Sequence, residues 1–202
     1  MNVHFIAITG GSGSGKSWLA RELEGRLGNV AGRLALDDFY HDLSSRTPAD
    51  REQVNFDDPD AIEWPLFEQV LDGIRRGQDV ELPSYDYVSH TRRPTLRSWR
   101  ACPLVLLDGL WLWSDPRMRR NYSVSVYLEC PPAVRLARRL DRDHLERGRS
   151  AAAARLQFEQ QVIPMHERFV APQLGLADLV LTSPVAYTDL SRLADTCRGL
   201  LS

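Results

Sequence analysis

Residues 6–17 read Ile6-Ala7-Ile8-Thr9-Gly10-Gly11-Ser12-Gly13-Ser14-Gly15-Lys16-Ser17, an apolar run that breaks into a glycine-rich turn and then enters a periodic helical segment. The run suits a buried strand, and the turn matches the phosphate-binding pattern G-x-x-x-x-G-K-[ST]. Glycine backbone approaches a ligand closely, so successive N–H groups from Gly10 to Ser17 can converge on one concavity that fits a polyphosphate. Leu19, Leu23 and Leu27 recur every four residues and give the following helix one apolar face. The N-terminal partial charge of that helix points at the same anion.

Lys16 is the sole lysine of the chain, every other Lys or Arg position being arginine. A compact ammonium thus stands at the one slot where a point charge must reach β- and γ-phosphates. The alternative, a Gly/Ser turn followed by a chance Lys-Ser, leaves the strand, the helix and the solitary lysine without a common cause.

The chain has 202 residues and a formal net charge of −2. That length predicts one domain, or one domain with an inserted lobe, with a sizeable core, and the charge gives no ground for a nucleic-acid or membrane partner. Cys102, Cys130 and Cys197 are far apart and form no C-x-x-C, as in a reduced, cytoplasmic protein. The N-terminus enters a strand-like run without a basic leader, and no apolar stretch approaches the ~20 residues of a membrane span.

Outward from the loop, Arg33 to Leu36 reads as a second strand ending at Asp37-Asp38-Phe39-Tyr40, and Pro103 to Leu107 as a third closing on Asp108-Gly109. In open α/β sheets ligands bind at the carboxyl edge, which places Asp37, Asp38 and Asp108 near the loop. Turn capping is the plainer explanation of either Asp37 or Asp38 alone. Ile62, Leu66, Phe67, Val70, Leu71 and Ile74 mark a helix that Arg75-Arg76-Gly77 ends. Val80 to Leu82 and Thr95 to Trp99 flank an excursion holding Tyr85, Tyr87, His90 and Arg92; for the two tyrosines a buried aromatic pair is the simpler reading.

Trp111 and Trp113 read as packing residues. Ser123 to Cys130 is a further strand, and Pro131-Pro132 opens a helix holding Arg135, Arg138, Arg139, Arg142, Arg147 and Arg149. These arginines fit either an ion-paired solvated face or, at the Glu146-Arg147-Gly148-Arg149 break, a helical hairpin folding over phosphates. Ala151 to Phe169 reads as a helix interrupted near Pro164, Asp178 to Leu181 as the last strand, and Thr188 to Leu201 as a closing amphipathic helix. Alternating strands and helices predict a three-layer α/β fold around a parallel sheet.

An ordered series of motifs resembles the uridine-cytidine kinases of the phosphoribulokinase/uridine kinase group. It comprises Gly10 to Ser17, Asp37-Asp38-Phe39-Tyr40, Asn55-Phe56-Asp57-Asp58-Pro59-Asp60, Tyr85-Asp86-Tyr87 with His90-Thr91-Arg92, Asp108-Gly109, Arg138-Arg139 with Arg142-Asp143, Glu146-Arg147-Gly148-Arg149, Gln157 and Ala177-Asp178. The resemblance implies one P-loop kinase domain over 1–202, with a substrate-binding hairpin at 79–100 and a lid at 139–157. It implies ATP as phosphate donor, Mg²⁺ held through Ser17 and Asp108, and a small-molecule nucleoside as substrate. The position of Asp37 corresponds to the family's catalytic base, and those of Asp57 and Arg139 to its holders of the ribose hydroxyls. Tyr85, Tyr87 and His90 match positions around the pyrimidine. Arg142, Arg147, Arg149 and Gln157 match positions of the lid and its phosphate contacts, and a homo-oligomer is common in the family.

The chain departs from the family at four places. Asp108 stands where glutamate is usual, Asp58 where histidine is usual, and Ala151 to Ala154 replace more polar lid residues. The lysine and the Arg-Gly-rich tail near Ala177-Asp178 are missing. A kinase of the same group acting on ribulose phosphate or pantothenate is the nearest competing expectation. A nucleotide switch is the more distant one, disfavoured because the guanine-reading N-K-x-D is absent.

Overall fold

The structure, a computed structural model, describes residues 2–202 apart from the side chains of Glu146 and Arg147. Five parallel strands form the central sheet: β1 (His4–Thr9), β2 (Ala31–Ala35), then, after the hairpin strands described below, β7 (Leu104–Asp108), β8 (Val124–Glu129) and β9 (Leu179–Thr182). Their spatial order is β2-β7-β1-β8-β9, with Phe5 opposite Val105 and Ile6 opposite Val124. Parallel strands between helical layers are buried on both faces, which is why their sequences are nearly unbroken apolar runs.

The two-residue period of β1 divides the core. Phe5 and Ala7 join a cluster with Phe39, Phe67, Ile74 and Trp111, whereas Ile6 and Ile8 join Leu19, Leu23, Leu106, Val126 and Leu193. Helix α1 (Lys16–Leu27) and the C-terminal helix α8 (Tyr187–Gly199) cover the second face; α3 (Trp64–Arg75) covers the first. The short helices α2 (Pro48–Glu52) and α4 (Pro116–Arg119) lie in connections. Each buried leucine of this kind contributes about 2 kcal/mol.

The excursion after α3 is a double hairpin. β3 (Val80–Leu82) pairs antiparallel with β6 (Arg97–Trp99), and β4 (Tyr85–Asp86) with β5 (Thr91–Arg92). It is anchored where Trp99 lies against Gly32 of β2, close enough that a Cβ on Gly32 would stand 2.9 Å from the indole. Pairing on the outer strand begins at Arg97, two residues later than the apolar pattern suggests.

Helix α5 (Pro132–Arg147) starts on a proline and ends on left-handed Gly148, whose N–H reaches the Asp143 carbonyl. The following run differs from the sequence expectation. Instead of breaking at Pro164, it passes from α6 (Ala151–Gln157) through a π-turn at Phe158–Val162, α7 (Ile163–Met165) and a second π-turn at His166–Val170 to a 3₁₀ segment at Ala171–Leu176. A proline lacks the N–H for the α-register, and the wider turns on both sides let the helix continue around it. Gln173 ties this run to the sheet by donating to the Leu110 carbonyl, and Trp113 Nε1 donates to the Gln173 carbonyl. Trp111 and Trp113 are packing residues, both fully buried. The three cysteines are buried and free.

Candidate active site

β1 lies between β7 and β8, so the crevice beyond its carboxyl end is bounded by the ends of β1, β2 and β7. The loop Gly10 to Gly15 occupies it. Gly13 and Gly15 have φ of 81° and 102°, and a Cβ on Gly13 would stand 2.5 Å from the Arg135 carbonyl oxygen, so only glycine fits there. The N-terminus of α1 has no side-chain cap and no acid in its first turn. Its N–H groups and partial positive charge are left for an anion.

Lys16 is 9 % exposed, and its ammonium donates to the Gly11 carbonyl at 3.2 Å across the loop. Burial pushes its pKa down, while Asp37 first and then Asp108 pull it back up. Ser17 Oγ donates to Asp108 Oδ1 at 2.7 Å. Asp108 Oδ2 is buried without a hydrogen-bond partner among the described residues, with Arg33 Nη1 3.7 Å away. Burial raises the Asp108 pKa against the opposing effects of Ser17, Lys16 and Arg33.

The two adjacent acids after β2 diverge. The 3₁₀ turn Leu36–Phe39 sends Asp37 into the cleft with Lys16, Ser17 and Asp108. Asp38 instead lies 3.9 Å from Arg97 of the hairpin, and burial pushes its carboxyl up to about 6.

The cleft, about 260 Å³, is also lined by Asp57, Tyr85, Tyr87, His90, Arg139, Arg142, Arg149 and Gln157. Sites scattered from 12 to 157 in the sequence therefore share one cavity. Phe56 stacks on the His90 ring at 4.5 Å and 15°, Tyr40 lies 5.3 Å from Tyr85, and Tyr85 lies 5.6 Å from Tyr87. His90 holds a left-handed backbone, φ 55°, at the hairpin tip. The tyrosines pack on each other, Tyr85 buried and Tyr87 half-buried, and both also wall the cleft.

The arginine-rich helix is organised by one acid. Asp143 is fully buried and meets Arg139 Nε at 3.4 Å, Arg142 Nη2 at 2.8 Å and Arg149 Nη1 at 3.7 Å. Arg139 reaches on to Asp57 at 3.8 Å and donates to Ser12 Oγ at 2.9 Å. Arg139 and Arg149 both donate to Gln157 Oε1, at 2.8 and 2.7 Å. The side chain of Arg147 lies outside the described residues, and Gly10, Gly11 and Ser14 form the loop without lining the cleft.

Sequence reasoning named Tyr40, Phe56, Arg138 and Asp143 only as members of motifs and gave none of them a role in the site. Arg138 Nη1 donates to the Ser14 carbonyl at 3.0 Å and to Ser183 Oγ at 2.9 Å, binding the loop to the segment after β9. The missed signal for Asp143 was spacing: Arg135, Arg139 and Asp143 are four apart and share one helical face.

The family model for the phosphoribulokinase/uridine kinase family matches residues 5–189. The chain is 35 % identical over 176 residues to a uridine kinase of Halobacterium salinarum, spanning 87 % of this chain and 78 % of that one. It is 36 % identical over 178 residues to a uridine kinase of Chloroflexus aurantiacus, spanning 87 % and 84 %. Among solved structures, phosphoribulokinase from Rhodobacter spheroides superposes with a TM-score of 0.66 at 14 % identity, covering 90 % of this chain and 70 % of that one. D-glycerate 3-kinase from Cryptococcus neoformans does so with a TM-score of 0.61 at 18 % identity, covering 82 % and 78 %. These two likenesses are of fold. A phosphate loop at a sheet switch point and a match over nearly the whole length lead to one conclusion: the chain belongs to the phosphoribulokinase/uridine kinase family and is a kinase.

Proposed function

We propose that the protein transfers the γ-phosphoryl group of ATP to the 5′-hydroxyl of uridine or cytidine, the step that returns pyrimidine nucleosides to the monophosphate pool. The observation that carries this reading is the shared cleft: Lys16 and the loop, Asp37, the Asp57–Arg139 pair and the Tyr85, Tyr87 and His90 group all face one space. The uridine kinase names of the relatives point the same way.

Lys16 and the loop N–H groups hold the β- and γ-phosphates, and Arg142 and Arg149, which line the cleft, face the transferring group. Asp57 accepts from a ribose hydroxyl and Arg139 donates to one, which fixes the sugar relative to the loop. Asp37 accepts the hydrogen bond of the 5′-hydroxyl, aims its oxygen at phosphorus, and takes the proton as the P–O bond forms and ADP leaves. A carboxylate suffices for this, because in a loose transition state the proton departs late. Phe56, stacked on His90, Tyr85 and Tyr87 give an aromatic wall for a pyrimidine, and His90 can present a donor or an acceptor to its edge.

Mg²⁺ fits beside Ser17 and Asp108, because the Asp108 Oδ2 atom is buried without a hydrogen-bond partner among the described residues while Oδ1 is held by Ser17. The ion would supply neutralisation of phosphate charge. Ser17 and Asp108 are the residues that would hold it.

Incubation with Mg²⁺, ATP and a panel of nucleosides, ribulose 5-phosphate and pantothenate, with products identified by mass, tests the reading. Uridine or cytidine monophosphate is the expected product. A better turnover of adenosine, guanosine or a non-nucleoside acceptor contradicts it.

A further inference from the structure

A second cavity, about 600 Å³, lies between β8, the start of α5 and the helical run 163–174. It shares no lining residue with the cleft, and Gly11 of the phosphate loop is one of its walls. Its size is within the range of small-molecule sites.

Arg135 lines this cavity. The residue is 3 % exposed, yet no carboxylate among the described residues lies within ion-pair distance, and Nε and Nη1 have no hydrogen-bond partner among those residues. The Phe158 ring is 5.7 Å from the guanidinium, and a Cβ on Gly11 would stand 2.3 Å from Nη1. A buried cation without a counter-charge is unfavourable unless something supplies one.

His166 lines the same cavity, with Nδ1 buried and unpartnered among the described residues. Burial, and then the Arg135 charge, hold its pKa near 4, so the ring is neutral at pH 7 and keeps one N–H to donate. Tyr127, Pro131, Ile163 and Leu174 supply apolar walls, and the other charged lining groups are the exposed Glu129 and Glu167. One positive charge without a direct ion pair among the described residues, with two acids lining the cavity and Asp57 acting from farther off, favours a monoanion over a dianion.

We propose that this cavity is a second ligand site that takes a small organic monocarboxylate, its carboxylate on Arg135 and His166 and its apolar body against the Tyr127 and Ile163 walls. The site is independent of which acceptor the kinase phosphorylates. Arg135 also forms the back of the phosphate loop, through Nη1 at Gly11 and its carbonyl at Gly13, so a ligand on the guanidinium touches the loop through a single side chain.

Calorimetric titration of the full chain with benzoate, beside inorganic phosphate and with and without a non-hydrolysable ATP analogue, tests the site. Saturable one-site benzoate binding is expected, stronger than phosphate binding and persisting with the analogue bound. Arg135→Met weakens it by at least about tenfold, the scale of one lost charge-assisted contact. His166→Phe weakens it as well. In ligand-free buffer Arg135→Met melts at or above the wild-type temperature, since it removes a buried charge that has only the Phe158 ring and the more distant Asp57 to offset it. Absence of benzoate binding, tighter binding of phosphate, competition by the ATP analogue, undiminished affinity in either variant, or a marked fall in the melting temperature of Arg135→Met would each overturn the proposal.

Discussion

Asp143→Asn isolates the charge at the centre of the arginine-rich helix. Asparagine keeps the volume and one acceptor of the acid but removes the counter-charge from Arg139, Arg142 and Arg149. The Arg139 side chain is 4 % exposed, so water cannot replace the lost partner, whereas Arg142 and Arg149, at 30 % and 24 %, regain part of their hydration. Breaking one side of a buried pair costs about 3–5 kcal/mol, and the partial exposure of two partners places this case at about 3. For a chain of this length that is a fall of about 6–12 °C in melting temperature. Gln157, which accepts from Arg139 and Arg149, also loses its fixed donors, so turnover drops by more than the loss of folded protein explains. Calorimetric melting and turnover well below the transition measure the two effects separately. A melting temperature within about 2 °C of wild type, under ~1 kcal/mol, would refute the view of Asp143 as the hub of this network.

Two further variants test other parts of the site. Asp38 is raised to about 6 from an unfolded value of 3.8, so the folded state binds more protons between these values and the ionised carboxylate lowers stability as pH rises through them. Asp38→Asn therefore gains about 2 kcal/mol at pH 8, and the gain vanishes below about pH 4; equal melting curves at pH 8 would contradict the burial of this acid. Phe56→Ala removes the ring stacked on His90 and raises the KM for the nucleoside about tenfold with little change in the KM for ATP, read from initial rates. A change confined to the nucleotide KM would place Phe56 outside the acceptor pocket.

The phosphate loop and the parallel sheet were legible because each depends on local pattern: apolar runs suited to two-sided burial, glycines for a turn, and leucines four apart on α1. The turn after β2 was legible in position, and the family resemblance singled out Asp37; the fold sends Asp37 into the cleft while Asp38 faces Arg97. The interior of α5 was not legible in the same way. Its face holding Arg135, Arg139 and Asp143 is polar, and a polar stripe in a sequence reads as solvated unless tertiary partners such as Asp57, Ser12 and Gln157 are known. The passage of the helix through Pro164 depends on wider turns, which leave no periodic mark. The aromatic stack of Phe56 and His90 joins residues 34 positions apart, beyond the reach of any local pattern.

Asp37→Asn tests most directly whether a carboxylate beside the phosphate loop aims a sugar hydroxyl at the terminal phosphorus. The substitution preserves shape and removes only the base and its charge. Turnover with Mg²⁺-ATP and uridine should fall by about a hundredfold or more, the usual range for loss of a positioned general base, while affinity for a non-hydrolysable ATP analogue stays nearly unchanged. Near-normal turnover in that variant would contradict the mechanism at its centre.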